Sequence, residues 1–168
     1  MEIQNEKAKS GQYLTFQLKN QTYGFSIAKV QEINRMMDIT PVPKTARSLV
    51  GVINLRGKVI PVVDLSLQLN MGSAEISKNT CIIVTETENG PIGVVVDFVN
   101  SVMEISEKQI EVLPVVNQSE KTNFIIGLAK IDEQVVVLMD ILAVLAKENL
   151  VSSLENTTPS GEESLKCQ

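Results

Sequence analysis

The stretch from Gly51 to Leu65, GVINLRGKVIPVVDL, restricts the possible folds more than any other part of the chain. Two runs rich in β-branched residues, Val52-Ile53 and Val59 to Val63, flank the turn Asn54-Leu55-Arg56-Gly57-Lys58. Such runs favour paired strands over helix. Gly57 suits a turn position with φ > 0, the usual way to reverse a strand within a few residues. Pro61 has no N–H to give to a ladder, which predicts an edge strand or a bulge at that point. The expected hairpin carries one fixed cation at its tip, Arg56.

Short strands of the same kind recur along the chain. Tyr13 to Leu18 alternates, predicting a half-buried strand with Leu14, Phe16 and Leu18 on one face. A turn at Lys19 to Thr22 leads into a second strand, Tyr23 to Ile27. Ala28 to Arg35 reads as one helical turn followed by strand. Pro41 and Pro43 set an extended connector, and Thr45 to Leu49 reads as a short helix. Leucines 65, 67 and 69 mark a short helix or arm, and Asn70 to Asn79 an exposed loop. Thr80 to Thr85 and Ile92 to Val96 form a hairpin around Asn89-Gly90, followed by an apolar run from Phe98 to Ile105. After a connector at Leu113 to Thr122, Phe124 to Lys130 pairs with Gln134 to Met139. Asp140 to Leu150 is a helix capped by Asp140, with Ile141, Leu142, Val144 and Leu145 as its apolar stripe. Residues 1–11 and 152–168 are polar and read as flexible tails.

A repeat underlies this order. Gly24 stands six residues before Val30, and Gly93 six before Val99; Gly51 stands thirteen before Asp64, and Gly127 thirteen before Asp140. Two copies of a small β unit account for those spacings. Short strands separated by Gly and Pro turns favour closed barrels, because closure removes unpaired edges.

Composition excludes several functions. With 168 residues and 43% hydrophobic content the chain can bury a core, and no run is long enough for a membrane helix. The N-terminus has no apolar targeting region, so the expected location is cytoplasmic. A net charge of −5 disfavours nucleic acid as a partner. The chain contains no histidine, the commonest general base and metal ligand. Two scattered cysteines do not make a zinc cluster, and Cys81 reads as a small buried hydrophobe. Asp64, Asp97, Asp132 and Asp140 lie at strand ends and turns, where aspartate caps backbone, and read as caps rather than as metal ligands or catalytic acids. No cofactor is expected.

GVINLRGKVIPVVDL, taken with its neighbours, resembles the CheW-like family, the coupling proteins of bacterial chemotaxis. Those neighbours are Tyr13-Leu14-Thr15-Phe16, Tyr23-Gly24, Val30-Gln31-Glu32-Ile33, Ile39-Thr40-Pro41-Val42-Pro43, Ile92 to Asp97 and Asp140-Ile141. The resemblance spans residues 12 to 149. One departure is Ala46, near which family members often carry a second proline. The resemblance implies a mainly β fold: one domain, 12–150, of two packed five-stranded SH3-like barrels with a C-terminal helix. The first barrel would take 12–70 plus helix 140–150, and the second 80–139.

The resemblance further implies a non-catalytic adaptor that couples chemoreceptor cytoplasmic tips to the regulatory domain of the histidine kinase CheA, recruited to membrane-bound receptor arrays without entering the membrane. No receiver domain is expected after Val151, which sets the chain apart from the longer CheV-like type. Glu32 and Arg56 each stand beside apolar strand residues, where pairing would ease desolvation, and the resemblance associates both, with Gly57 at the tip, with the receptor. Val30, Val99 and Val102 hold equivalent places in the two halves, and the resemblance puts the receptor tip in a groove between barrels that they would line. Met36 and Met37 are adjacent, so in an extended segment one of them would be exposed. Adaptable methionines suit a partner surface, here assigned to the kinase. The alternative from another class is a small β-barrel ligand carrier or enzyme.

Overall fold

A computed structural model describes residues 10–43, 47–111 and 124–146. Its elements are β1 (Gly11–Leu18), β2 (Gln21–Ser26), β3 (Val30–Arg35), β4 (Leu49–Leu55), β5 (Lys58–Asp64), α1 (Leu65–Gln68), β6 (Cys81–Thr87), β7 (Gly90–Val96), β8 (Phe98–Ile105), β9 (Ile110–Glu111), β10 (Ile125–Ile131), β11 (Gln134–Met139) and α2 (Ile141–Ala146). Short 3-10 turns at Ile27–Lys29 and Glu107–Gln109 lead into β3 and β9. The tail 152–168, residues 1–9 of the leader, the connector 113–122, Ala46 and the last turn expected for the C-terminal helix lie outside the described residues.

The strands form two sheets, in the orders β8-β1-β2-β11-β10-β9 and β3-β6-β7-β5-β4. Strand pairing does not follow the two halves of the chain. The β1–β2 hairpin of the first half pairs with β8 and β11 of the second, while β6–β7 pairs with β3 and β5. Each half therefore completes the other's sheet. The division into 12–70 and 80–139 follows the sequence repeat, and the sheets exchange a hairpin across it.

The exchange is matched in register. β2 runs parallel to β11 with Gly24 opposite Leu138, and β7 runs parallel to β5 with Gly93 opposite Val62. One bulge separates Val30 from Glu32 against β6, and its counterpart separates Val99 from Ser101 against β1. The β4–β5 and β10–β11 ladders slip at equivalent places, Leu49/Gly51 and Ile125/Gly127. Asp64 Oδ1 accepts from Ser66 N and Leu67 N at the start of α1, and Asp140 Oδ1 from Leu142 N and Ala143 N at the start of α2. These two aspartates are helix caps, as the sequence indicated.

Each sheet closes on itself. In the first, β8 and β9 are opposite edges joined by one short turn, so the sheet curls until β9 meets β10. In the second, the chain beyond β3 returns to β4, where Thr40 and Val52 exchange backbone hydrogen bonds of 2.8 and 2.9 Å. A Cβ on Gly51 would lie 2.3 Å from the Thr40 carbonyl oxygen, so only glycine permits this crossing.

Side chains fill both barrels. Ile53, Ile60, Val62, Ile82, Val84 and Val95 fill one; Tyr13, Ile105, Ala129, Val136 and Leu138 fill the other. The largest cluster lies between them and includes Leu14, Phe16, Leu18, Phe25, Val63, Ile83, Val94, Val96, Met139, Ile141, Val144 and Leu145. Burying each such side chain is worth about 1.5–3 kcal/mol, so the barrels depend on each other. Gln68 Nε2 adds a buried polar tie, donating to the Val144 carbonyl at 2.8 Å and joining α1 to α2.

Several expectations change. β1 is buried on both faces rather than one, because Tyr13 enters a barrel while Leu14, Phe16 and Leu18 face the shared core. β5 is an interior strand despite Pro61. Val52, opposite Pro61, gives its own polar groups to Thr40, so the imide nitrogen of Pro61 points away from β4. On that other side the ladder with β7 begins only at Val62. Leu49 opens β4 rather than ending a helix, with Arg47 and Ser48 in a turn. The β6–β7 turn centres on Glu88-Asn89, one residue earlier than expected, because Thr87 pairs with Gly90.

Candidate functional site

Leu55 pairs with Lys58, leaving Arg56 and Gly57 as a two-residue turn with φ of 53° and 83°. Both central residues are left-handed, the pattern that matches the twist of a hairpin. Gly57 adopts it freely, but an L-residue with a long side chain is disfavoured there by about 1–2 kcal/mol. Asn54 Oδ1 steadies the turn by accepting from Gly57 N at 3.0 Å.

From this tip Arg56 reaches across the barrel mouth to the opposite edge strand. Its Nη1 donates to Glu32 Oε2 at 2.8 Å and its Nη2 to Glu32 Oε1 at 3.3 Å. The two sides of this clasp are unequal: the arginine side chain is 77% exposed and the glutamate 21%. Asn34 Nδ2 donates to Glu32 Oε1 at 2.8 Å. The amide of Asn34, and after it the guanidinium of Arg56, hold the Glu32 carboxyl below its ordinary pKa. The carboxylate therefore stays charged at neutral pH, as its pairing with Arg56 requires.

The β3 bulge separates the expected site residues. Glu32 lies opposite Val84, which fills the barrel, and Val30 lies opposite Thr85, on the other face of the sheet. Val30 packs on the shared core, as does Val99 of β8. Glu32, Arg56 and Gly57 thus form one group, and Val30 and Val99 belong to another. Val102 lies two pairs along from Val99 on the face of Leu14 and is 47% exposed; its counterpart on β3, Ile33, is 42% exposed. Each edge strand carries one half-buried and one exposed aliphatic residue toward the side where the barrels meet. A cavity of about 330 Å³ opens there, lined by Arg35, Lys78, Asn79, Cys81, Phe98 and Val99.

Met36 and Met37 are both half-buried and both pack against the filling of the clasped barrel. Neither is the exposed methionine expected, because alternation ends with β3 at Arg35. Sequence reasoning missed Asn34, Ile33 and Phe98. A period of two from Glu32 would have placed Asn34 on its face. The exposure of Phe98 depends on how β8 leaves β7, which no local pattern records.

Among the described residues, no group of three acidic or cysteine side chains is placed to hold a metal. No helix among them is long and apolar enough to cross a membrane. Asp97 Oδ2 accepts from Lys19 N at 2.9 Å, a turn-holding role like that of the capping aspartates.

Two strand-exchanged barrels filled by their own side chains, with a clasped arginine exposed at one tip, define an all-β module of two mutually dependent barrels. The chain belongs to the CheW-like domain family, whose model matches residues 12–149. It is 35% identical over 133 residues to the chemotaxis protein CheW of Thermotoga maritima, covering 79% of this chain and 86% of that one. To the CheW of Klebsiella aerogenes it is 32% identical over 139 residues, covering 83% and 84%. The crystal structure of the scaffolding protein TtCheW from Thermoanaerobacter tengcongensis is similar at a TM-score of 0.74 and 33% identity, covering 83% of this chain and 95% of that chain. The chain is accordingly a non-catalytic chemotaxis scaffold of the CheW family.

Proposed function

We propose that this scaffold couples the cytoplasmic tips of chemoreceptors to the regulatory domain of the histidine kinase CheA, and that it is recruited to membrane-bound receptor arrays for that purpose. The observation that carries the reading is the placement of Arg56. It occupies a left-handed position that Asn or Gly would fill with less strain, and it remains mostly exposed after pairing with Glu32. Strain kept at an exposed position favours a contact outside the chain.

Val30, Val99 and Val102 supply the apolar part of the receptor surface, while Glu32, Arg56 and Gly57 supply its polar corner. Met36 and Met37 support kinase contact less strongly, since only their half-exposed edges are available. The large core shared by the barrels makes a stiff body, which suits transmission of receptor state to a kinase held elsewhere on the surface. A reconstituted mixture of receptor fragment, scaffold and kinase tests this reading. Arg56→Ala should fold normally and fail to support receptor control of the kinase. Normal control by the variant would remove the arginine from the contact.

A further inference from the structure

We infer that Asn34 is a positioning residue for receptor coupling: it fixes the Glu32 carboxylate so that Arg56 presents its unused N–H groups in one orientation to an oxygen acceptor on the receptor. The inference rests on the receptor reading above and adds to it a residue that does not itself touch the partner. A guanidinium has five N–H donors, and Arg56 spends two of them on Glu32. The others belong to a side chain that is 77% exposed. They suit a carboxylate or a main-chain carbonyl, each of which accepts along defined directions.

An exposed arginine on its own samples many rotamers and makes a poor directional contact. Here its orientation is only as fixed as the carboxylate it leans on. Glu32 lies just beyond a bulge, where the ladder to β6 is locally interrupted and holds the strand less firmly. Asn34 restores that constraint. It lies opposite Ile82, on the same side of β3 as Glu32 opposite Val84, and it is half-buried beside the barrel filling. Its amide bonds Oε1 at 2.8 Å, the oxygen to which Arg56 makes its longer, 3.3 Å bond. Asn34 therefore turns the carboxylate so that Oε2 takes the short bond from Arg56.

The test uses the full chain as parent, Asn34→Ala, Glu32→Ala and the double variant. Two quantities are measured: NMR titration of the Glu32 carboxyl, and affinity for a soluble receptor cytoplasmic fragment. Asn34→Ala should move the Glu32 midpoint upward toward the ordinary glutamate value. It should also weaken receptor binding roughly three- to fivefold, the scale of an exposed oriented pair. In the Glu32→Ala background it should weaken binding no further. Asn34→Asp keeps the shape but loses the donor; it should raise the midpoint more, and it replaces the alanine variant if that fails to fold. An unmoved Glu32 midpoint overturns the proposal, as does an equal loss of affinity with and without Glu32, which would mean Asn34 contacts the receptor itself. If the parent does not bind the receptor fragment, the receptor reading fails while the titration still decides what Asn34 does.

Discussion

The β4–β5 and β10–β11 hairpins occupy equivalent places in the two barrels, yet their tips differ in chemistry. At one tip Arg56 takes a φ of 53°; at the other Asp132 takes 55°. Aspartate tolerates the left-handed region, whereas arginine is rare there. The charged pairs beside the closing backbone contacts of the two barrels differ as well. Arg56 spans to Glu32 at 2.8 Å in one, while in the other Lys130 bonds Glu111 at 3.0 Å between the adjacent strands β10 and β9. A barrel of this design can therefore close without an arginine at its tip. The comparison separates what the fold requires, a tight turn and a closing contact, from what this particular tip adds.

Substitutions can break or sharpen this contrast. The largest effect is expected in the core that both barrels share. Leu145→Ala should cost about 2–5 kcal/mol and lower both barrels in one transition, read by denaturant unfolding with probes in each. Two separate transitions would show that the barrels are less dependent on each other than their packing indicates. Next is Gly51→Ala, which strikes the clasped barrel alone. With the Thr40 carbonyl 2.3 Å from the new Cβ, the crossing must open, at a cost of about 3 kcal/mol, the upper end for overpacking.

Smaller effects separate the two charged pairs. Arg56→Ala and Lys130→Ala should each move the melting midpoint by less than about 2–4 °C, since both pairs are exposed. Only Arg56→Ala should abolish receptor control of the kinase. Equal loss of control in both variants would make closure, not the tip, the functional element. The smallest effect is a dependence on pH. Glu32 has a lowered pKa in the folded chain, so its contribution is present above its unfolded value and disappears as pH falls through the folded value. The gap in melting midpoint between the parent and Glu32→Gln should be open near neutrality and close in acid.

Much of the barrel pair was legible beforehand because it rests on local signals. Leu14, Phe16 and Leu18 alternate, Gly57 marks its turn, Asp64 and Asp140 announce helix starts, and the glycine spacings reveal the repeat. The exchange of hairpins between halves was not legible, since identical apolar alternation serves either partner sheet. The two-sided burial of β1 follows from that exchange and was missed with it. At the site, Glu32 and Arg56 could be singled out as charges beside apolar residues. The extra residue at Gln31 that turns Val30 to the opposite face leaves no mark in composition. Whether Pro61 sits at an edge depended on where the β7 ladder begins, a non-local fact.

The reciprocal hairpin exchange also bears on how the polypeptide is made. As it leaves the ribosome, the β1–β2 hairpin has no sheet to join, because β8 and β11 have yet to be synthesised. β3, β4 and β5 likewise wait for β6 and β7. Neither barrel can be completed early, and apolar strand edges stay open through most of translation, a state prone to wrong pairing. A partly synthesised chain offers a bare hairpin tip but no stiff body behind it, so any scaffold role that needs both must wait until β11 has been made.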